Sequence, residues 1–283
     1  MRVRRQRRPR PSRRPAADRF RRATSDRFRR GIYLIPSLFT VGNMFCGFAA
    51  VLHALNGRLE LAGWLILLAG VLDGLDGRIA RLTHSSSDFG KEYDSLADVV
   101  SFGVAPAVLV YLWGLRDTGR WGWAVAFLFL VAGSVRLARF NVHAHEGDRR
   151  FFTGLPIPGG AGAVTLMVLV HPQQLVEPLH SVVVWIFVFL VSVLMVSTVP
   201  YRSYKDFNLR QRWPATAFFL IALIVAVIAV SPPPALAIIA AGYLLSGPLV
   251  MLLRALRRQP PANLSEPPEA SHAAASPADT EHP

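Results

Sequence analysis

Four aspartates are the residues of this chain whose type and spacing could do chemistry. Asp73 and Asp76 lie three apart in LDGLDGRIARLT, and Asp94 and Asp98 lie four apart in GKEYDSLADVVSFG. Either spacing puts both carboxylates of a pair on one face of a helix. A short polar loop joins the two stretches, so the pairs can face each other. Carboxylates converging at membrane depth repel one another and are costly to desolvate, so such a cluster needs cations. An all-oxygen donor set selects Mg2+ or Mn2+ over zinc. Divalent ions there polarise phosphoryl oxygens and stabilise a departing phosphate, and with Arg81 adjacent a diphosphate is the ligand class that fits. The small residues Gly77 and Ala80 let a bulky ligand approach the helix backbone. The competing structural explanation makes the four acids salt-bridge partners of Arg78, Arg81 and Lys91.

The elements that must hold these residues are membrane helices. Of 283 residues, 52% are hydrophobic and 17% charged, with a mean hydropathy of +0.34, which is too apolar for an ordinary soluble domain. Apolar runs near 32–56, 59–82, 93–115, 121–141, 157–175, 180–199, 214–231 and 234–254 mostly approach the roughly 20 residues that cross a bilayer. The expected fold is therefore all-α, a polytopic bundle of about eight transmembrane helices. The fifth run is the weakest, because its apolar part stops near His171. Eight spans put both termini on one side, and charge supports the count: with that side cytoplasmic it carries 14 Lys and Arg beyond the N-terminal arm, against Arg58, Arg116 and Arg120 on the other. This places a multi-pass protein in the cell membrane, with the aspartates facing the cytoplasm.

The net charge of +13 belongs mostly to residues 1–30, which hold 14 arginines against Asp18 and Asp26. That segment reads as a disordered Arg-rich arm whose last part could lie as a basic helix on an anionic leaflet. Its charged stretch is too long for a secretory leader. Residues 31–256 form the transmembrane domain, and 257–283, rich in Pro, Ala, Ser and Glu, read as a disordered tail. The lone Cys46 excludes a disulfide framework and a cysteine metal site. His143 and His145, with Glu146 and Asp148, read as solvated loop residues.

The run Asp73-x-x-Asp76-Gly77-x-x-Ala80-Arg81, eight residues, then Gly90-x-x-x-Asp94-x-x-x-Asp98, resembles the signature of the CDP-alcohol phosphatidyltransferase family at every fixed position. The resemblance covers roughly residues 32–255. It implies attack of an alcohol on the β-phosphorus of a CDP-linked lipid with release of CMP. By motif position it makes Asp73, Asp76, Asp94 and Asp98 ligands of Mg2+ or Mn2+. Asp98 is also the implied general base on the acceptor hydroxyl. Gly77, Ala80 and Arg81 would lie against the CDP moiety, and Gly90 would shape the start of the following helix. A homodimer is implied as well.

IPSLFTVGNMFCGF, SFGVAPA with RLARFN, FTGLPIP and STVPYRSYK further resemble the branch of that family that uses CDP-diacylglycerol and L-serine. Ser37 departs from it where Asn is expected, which draws attention to Thr40 and Asn43 one turn away as nucleotide contacts. A zwitterionic acceptor needs a cation for its carboxylate, for which Arg136, Arg139, Asn141, Arg202 and Lys205 are candidates. The same cations suit an acceptor phosphate, as in glycerol 3-phosphate or an inositol phosphate. Phe152 to Pro156 reads as a loop that shapes the pocket. Two other classes compete. An ion-coupled transporter leaves the bunching of all four acids at one helix pair unexplained, and a nucleic-acid binder has only the arm in its favour. No nucleic-acid partner is expected.

Overall fold

The computed structural model describes residues 38–83, 87–144, 152–175, 177–201 and 215–256. The arm, the tail, Ser37, His145, Arg202 and Lys205 lie outside the described residues. A helix falls on each of the eight expected runs: α1 (Leu38–Leu55), α2 (Leu59–Thr83), α3 (Asp88–Thr118), α4 (Arg120–Ala144), α5 (Ile157–Val170), α6 (Pro178–Val196), α7 (Ala215–Val230) and α8 (Pro232–Leu256). By length and apolar composition, five of them, α1, α3, α4, α6 and α8, can cross a membrane. This is a polytopic helical membrane protein. The count of eight spans is not carried by apolar length. α2 is long enough but charged at Glu60, Asp73, Asp76, Arg78 and Arg81, while α5 and α7 have 14 and 16 residues, short of the roughly 20 required. As expected, α5 stops at His171, which caps it after Val170.

The core lies where α1 to α6 meet, with Ala50 and Ala54, Ala62 and Ile66, Leu109 and Trp113, Phe129 and Ala132, Val164 and Val168, and Val188 and Met195 buried together. Lipid is as apolar as leucine, so van der Waals packing and small residues draw such helices together. One close approach is at Gly47: a Cβ there would overlap the Ser101 hydroxyl and lie 2.7 Å from the Ser101 Cα. Only hydrogen at position 47 lets α1 lie this close to α3.

α3 is not a uniform helix. After Asp98 it widens into a π turn over Val99–Val104, where Ala105 N–H donates to Val100 O, and it relaxes to α geometry at Ala105–Val110. Pro106 explains the position, since it has no N–H to give the preceding turn and its ring crowds the carbonyl four residues back. A strand pair, β1 (Phe152–Thr153) with β2 (Pro200–Tyr201), joins the segments before α5 and after α6. Between β1 and α5, Gly154 has a φ of +85°, and a Cβ there would meet Met195 O at 2.5 Å. Gly154 N–H donates to Val199 O and Leu155 N–H to Leu194 O. The FTGLP loop is thus stitched to the end of α6.

Candidate active site

α1 brackets the site. Thr40 and Asn43, one turn apart, are buried and reach two different helices. Thr40 Oγ1–H donates to Asp76 Oδ2 on α2 at 3.0 Å, and Asn43 Nδ2–H donates to Asp98 Oδ1 on α3 at 3.4 Å. Ser101 holds Asn43 from behind, its hydroxyl donating to Asn43 O at 2.9 Å. Each residue of this bracket sits on a helix, which gives the carboxylates a rigid frame.

Within that frame, one carboxylate oxygen each of Asp73, Asp76 and Asp94 lie within 4.8 Å of one another. Asp98, one turn beyond Asp94 and 8% exposed, is outside this grouping and is held by Asn43. None of the four forms an ion pair among the described residues. Lys91, the expected partner, pairs with Asp88 at 3.0 Å, and Arg81 is exposed. The salt-bridge explanation therefore does not describe this cluster.

Two buried oxygens point to what is needed instead. Asp94 Oδ1 and Asn43 Oδ1 have no hydrogen-bond partner among the described residues. A buried acceptor without a donor costs about 1–3 kcal/mol, and more when it is charged. An oxygen-ligated cation removes that cost for Asp94 and neutralises its neighbours, so the donor set fits a divalent metal. Beside it, α2 leaves room: a Cβ built on Gly74 or Gly77 meets nothing within 4 Å. Ala80 lies on the next turn of α2. Gly90 belongs to the start of α3, where its N–H donates to the Ser87 hydroxyl at 3.0 Å in a helix N-cap.

The acceptor candidates separate. Arg139 Nη1–H donates to Val196 O, tying α4 to α6, and Asn141 Nδ2–H donates to Ser95 Oγ, tying α4 to α3. Arg136 is buried with its guanidinium 5.5 Å from the Phe140 ring centroid. Sequence reasoning did not find Ser101 or the π turn. Only the serine in SFGVAPA and the proline five residues on could have signalled them.

The CDP-alcohol phosphatidyltransferase profile matches residues 33–194, more than half of the chain, and every residue of this cluster lies within the match. The chain belongs to the CDP-alcohol phosphatidyltransferase family. Among its relatives, the CDP-diacylglycerol–serine O-phosphatidyltransferase of Helicobacter pylori (strain ATCC 700392 / 26695) is 39% identical over 217 residues, covering 76% of this chain and 90% of the relative. The protein of that name from Mycobacterium bovis is 35% identical over 215 residues, 72% of this chain and 73% of the relative. The archaetidylserine synthase of Methanothermobacter thermautotrophicus is 37% identical over 169 residues, 59% of this chain and 69% of the relative. Divalent metal is the family's cofactor class, and Asp73, Asp76 and Asp94 are where this member could hold it. The profile ends inside α6, so α7 and α8 lie beyond it.

Proposed function

We propose that this protein transfers the phosphatidyl group of CDP-diacylglycerol to the hydroxyl of L-serine, giving phosphatidylserine and CMP. The observation that carries this is the group of three carboxylates within 4.8 Å, with a buried Asp94 oxygen unpartnered among the described residues and Asp98 fixed one turn away. The names of the relatives support serine as the acceptor.

Asp73, Asp76 and Asp94, with Asp98 as a further ligand, would hold Mg2+ or Mn2+. When bound, the ions offset the carboxylate charge and polarise the phosphoryl oxygens of the diphosphate. The open flank of α2 at Gly74 and Gly77, with Ala80 and Arg81 on the following turn, takes the CDP portion. Asn43 holds one oxygen of Asp98, and the second accepts the proton of the serine hydroxyl. The serine oxygen–phosphorus bond then forms as the bond from phosphorus to the CMP oxygen breaks, and CMP leaves with the electron pair. Arg136 holds the serine carboxylate, and Arg139, Asn141, Arg202 and Lys205 are the further candidates for contact with the acceptor. We place the enzyme in the cell membrane as a homodimer with eight spans, both termini and the site facing the cytoplasm. The domain occupies 31–256.

The test is CMP release by the purified protein in detergent with CDP-diacylglycerol and Mn2+ or Mg2+, with L-serine, glycerol 3-phosphate or inositol 1-phosphate added singly. Release with serine alone is expected. Release with another acceptor keeps the metal site and discards serine. No release with any acceptor returns the aspartates to an ion-transport role.

A further inference from the structure

Arg136 stands on the inward face of α4, level with the end of the acidic cluster. α3 and α4 run antiparallel. Asn141 bonds Ser95, and a Cβ on Gly103 would lie 2.8 Å from Leu130 Cδ1, so counting along α4 from either contact brings Arg136 level with residues 97–100. Three contacts fix how α4 is turned. Asn141 faces α3 through Ser95, Arg139 faces α6 through Val196 O, and Gly133 faces the start of α5, where its Cβ would lie 2.8 Å from Ile157 Cδ1. At about 100° per residue, Arg136, Phe140 and Gly133 share the sector between the ties to α3 and α6. Ile157 belongs to an apolar cluster with Cys46, Ala69, Phe102 and Ala161, which lies one turn beneath Asn43 on α1 and Asp98 on α3. Arg136, one turn from Gly133 in that same direction, therefore rises from the floor of the site.

Arg136 is 8% exposed and makes no ion pair or hydrogen bond among the described residues, while its guanidinium carbon lies 5.5 Å from the centroid of the Phe140 ring, one turn on. A carboxylate in the place of that ring would neutralise the guanidinium and occupy its N–H fork. An aromatic ring attracts a cation through its quadrupole and takes no N–H, so the charge and the five donors stay available to an incoming anion. Phe140 is 40% exposed on this inward face, so the pair stands where the site is open.

We propose that Phe140 is a positioning residue for acceptor binding: its ring holds the Arg136 guanidinium by cation–π attraction and keeps the N–H fork free for the anionic group of the acceptor. This rests on the reading of Arg136 as the acceptor's cation. The anionic group is the carboxylate of serine, or the phosphate of a phosphorylated alcohol.

The experiment is steady-state CMP release by the full chain in detergent with CDP-diacylglycerol and Mn2+. It compares wild type with Phe140→Leu, Phe140→Tyr, Arg136→Gln and a series carrying mono-, di- and trifluorinated phenylalanine at position 140. Fluorine weakens the negative face of the ring with little change in its size. Phe140→Leu is expected to raise the acceptor KM roughly 3- to 10-fold while kcat and the KM for CDP-diacylglycerol stay within about twofold. Phe140→Tyr stays near wild type, and the fluorinated rings raise the acceptor KM step by step. An unchanged acceptor KM in Phe140→Leu, or one that is flat across the fluorinated series, overturns the proposal. So does a joint rise in both KM values with a lowered Tm, which marks a packing role. An acceptor KM unchanged in Arg136→Gln removes Arg136 as the acceptor's cation, and the proposal falls with that reading. A raised acceptor KM in Arg136→Gln with none in Phe140→Leu sinks the proposal alone. If wild type responds to a different acceptor, the serine reading falls and the KM shift is read on that acceptor. If it responds to none, Arg136 has no acceptor to hold and the proposal falls with it.

Discussion

α3 and α8 are both apolar enough to cross a membrane, yet more than half of α3 is buried inside the protein and almost none of α8. Hydropathy therefore does not decide which helix packs into the protein. α3 is drawn in by Gly47 and by donors that bridge helices, namely Asn43, Ser101 and Asn141. α8 presents Ile238, Leu245, Leu249 and Leu252 outward, and it packs along α5 through a narrow side that includes Tyr243 on Gly159, with Gly247 against Tyr201. In a bilayer a leucine gains little by leaving lipid, whereas a buried donor or a missing side chain makes a definite contact. Chemistry belongs on the first kind of helix, because its side chains have one place to be.

Breaking the acidic cluster should give the largest effect. Asp94→Asn removes a carboxylate from the three-residue group, and turnover should fall on the order of 10^3-fold in a CMP-release assay. Asp98→Asn should also remove turnover while CDP-diacylglycerol still binds, and a variant that kept most of its activity would show the proton acceptor to be elsewhere. The bracket on α1 comes next. Asn43→Ala should cost roughly 10- to 100-fold, and Thr40→Val less, about tenfold, with a higher metal concentration needed for half-maximal rate. Two glycines sharpen the comparison at the small end. Gly47→Ala forces a Cβ against the Ser101 backbone and should destabilise by about 1–3 kcal/mol in thermal or denaturant unfolding in detergent. Gly242→Ala in α8 meets nothing within 4 Å and should be neutral or stabilising by up to about 1 kcal/mol. Equal losses at the two positions would contradict the account of why α3 and α8 differ.

The sequence made the helices and the carboxylate pairs legible because both are local. An apolar run or a three-residue spacing carries its meaning within a few turns. Thr40 and Asn43 stood out near Ser37 as nucleotide contacts, while the bond that each makes to an aspartate, Asp76 and Asp98, was not legible. The partition of the acids was not legible: Asp73, Asp76 and Asp94 group while Asp98 turns to Asn43, a result of how α1 leans on α3. Contacts such as Ser101 with Asn43 and Tyr201 with Leu244 span 58 and 43 residues, and no periodicity along a single chain encodes them. The π turn after Asp98 depends on Pro106, which a helix can also absorb as a kink. Apolar length alone does not carry the count of eight at α2, because the charged face that serves the site lowers its apolar signal.

The most direct test of the metal-centred account is serine-dependent CMP release by the wild-type protein as a function of free Mn2+, starting from chelator-treated enzyme. The account predicts no release with chelator, saturable recovery as Mn2+ is returned, and no recovery in Asp94→Asn at the same concentrations. Serine-dependent release that persists unchanged in chelator would contradict it.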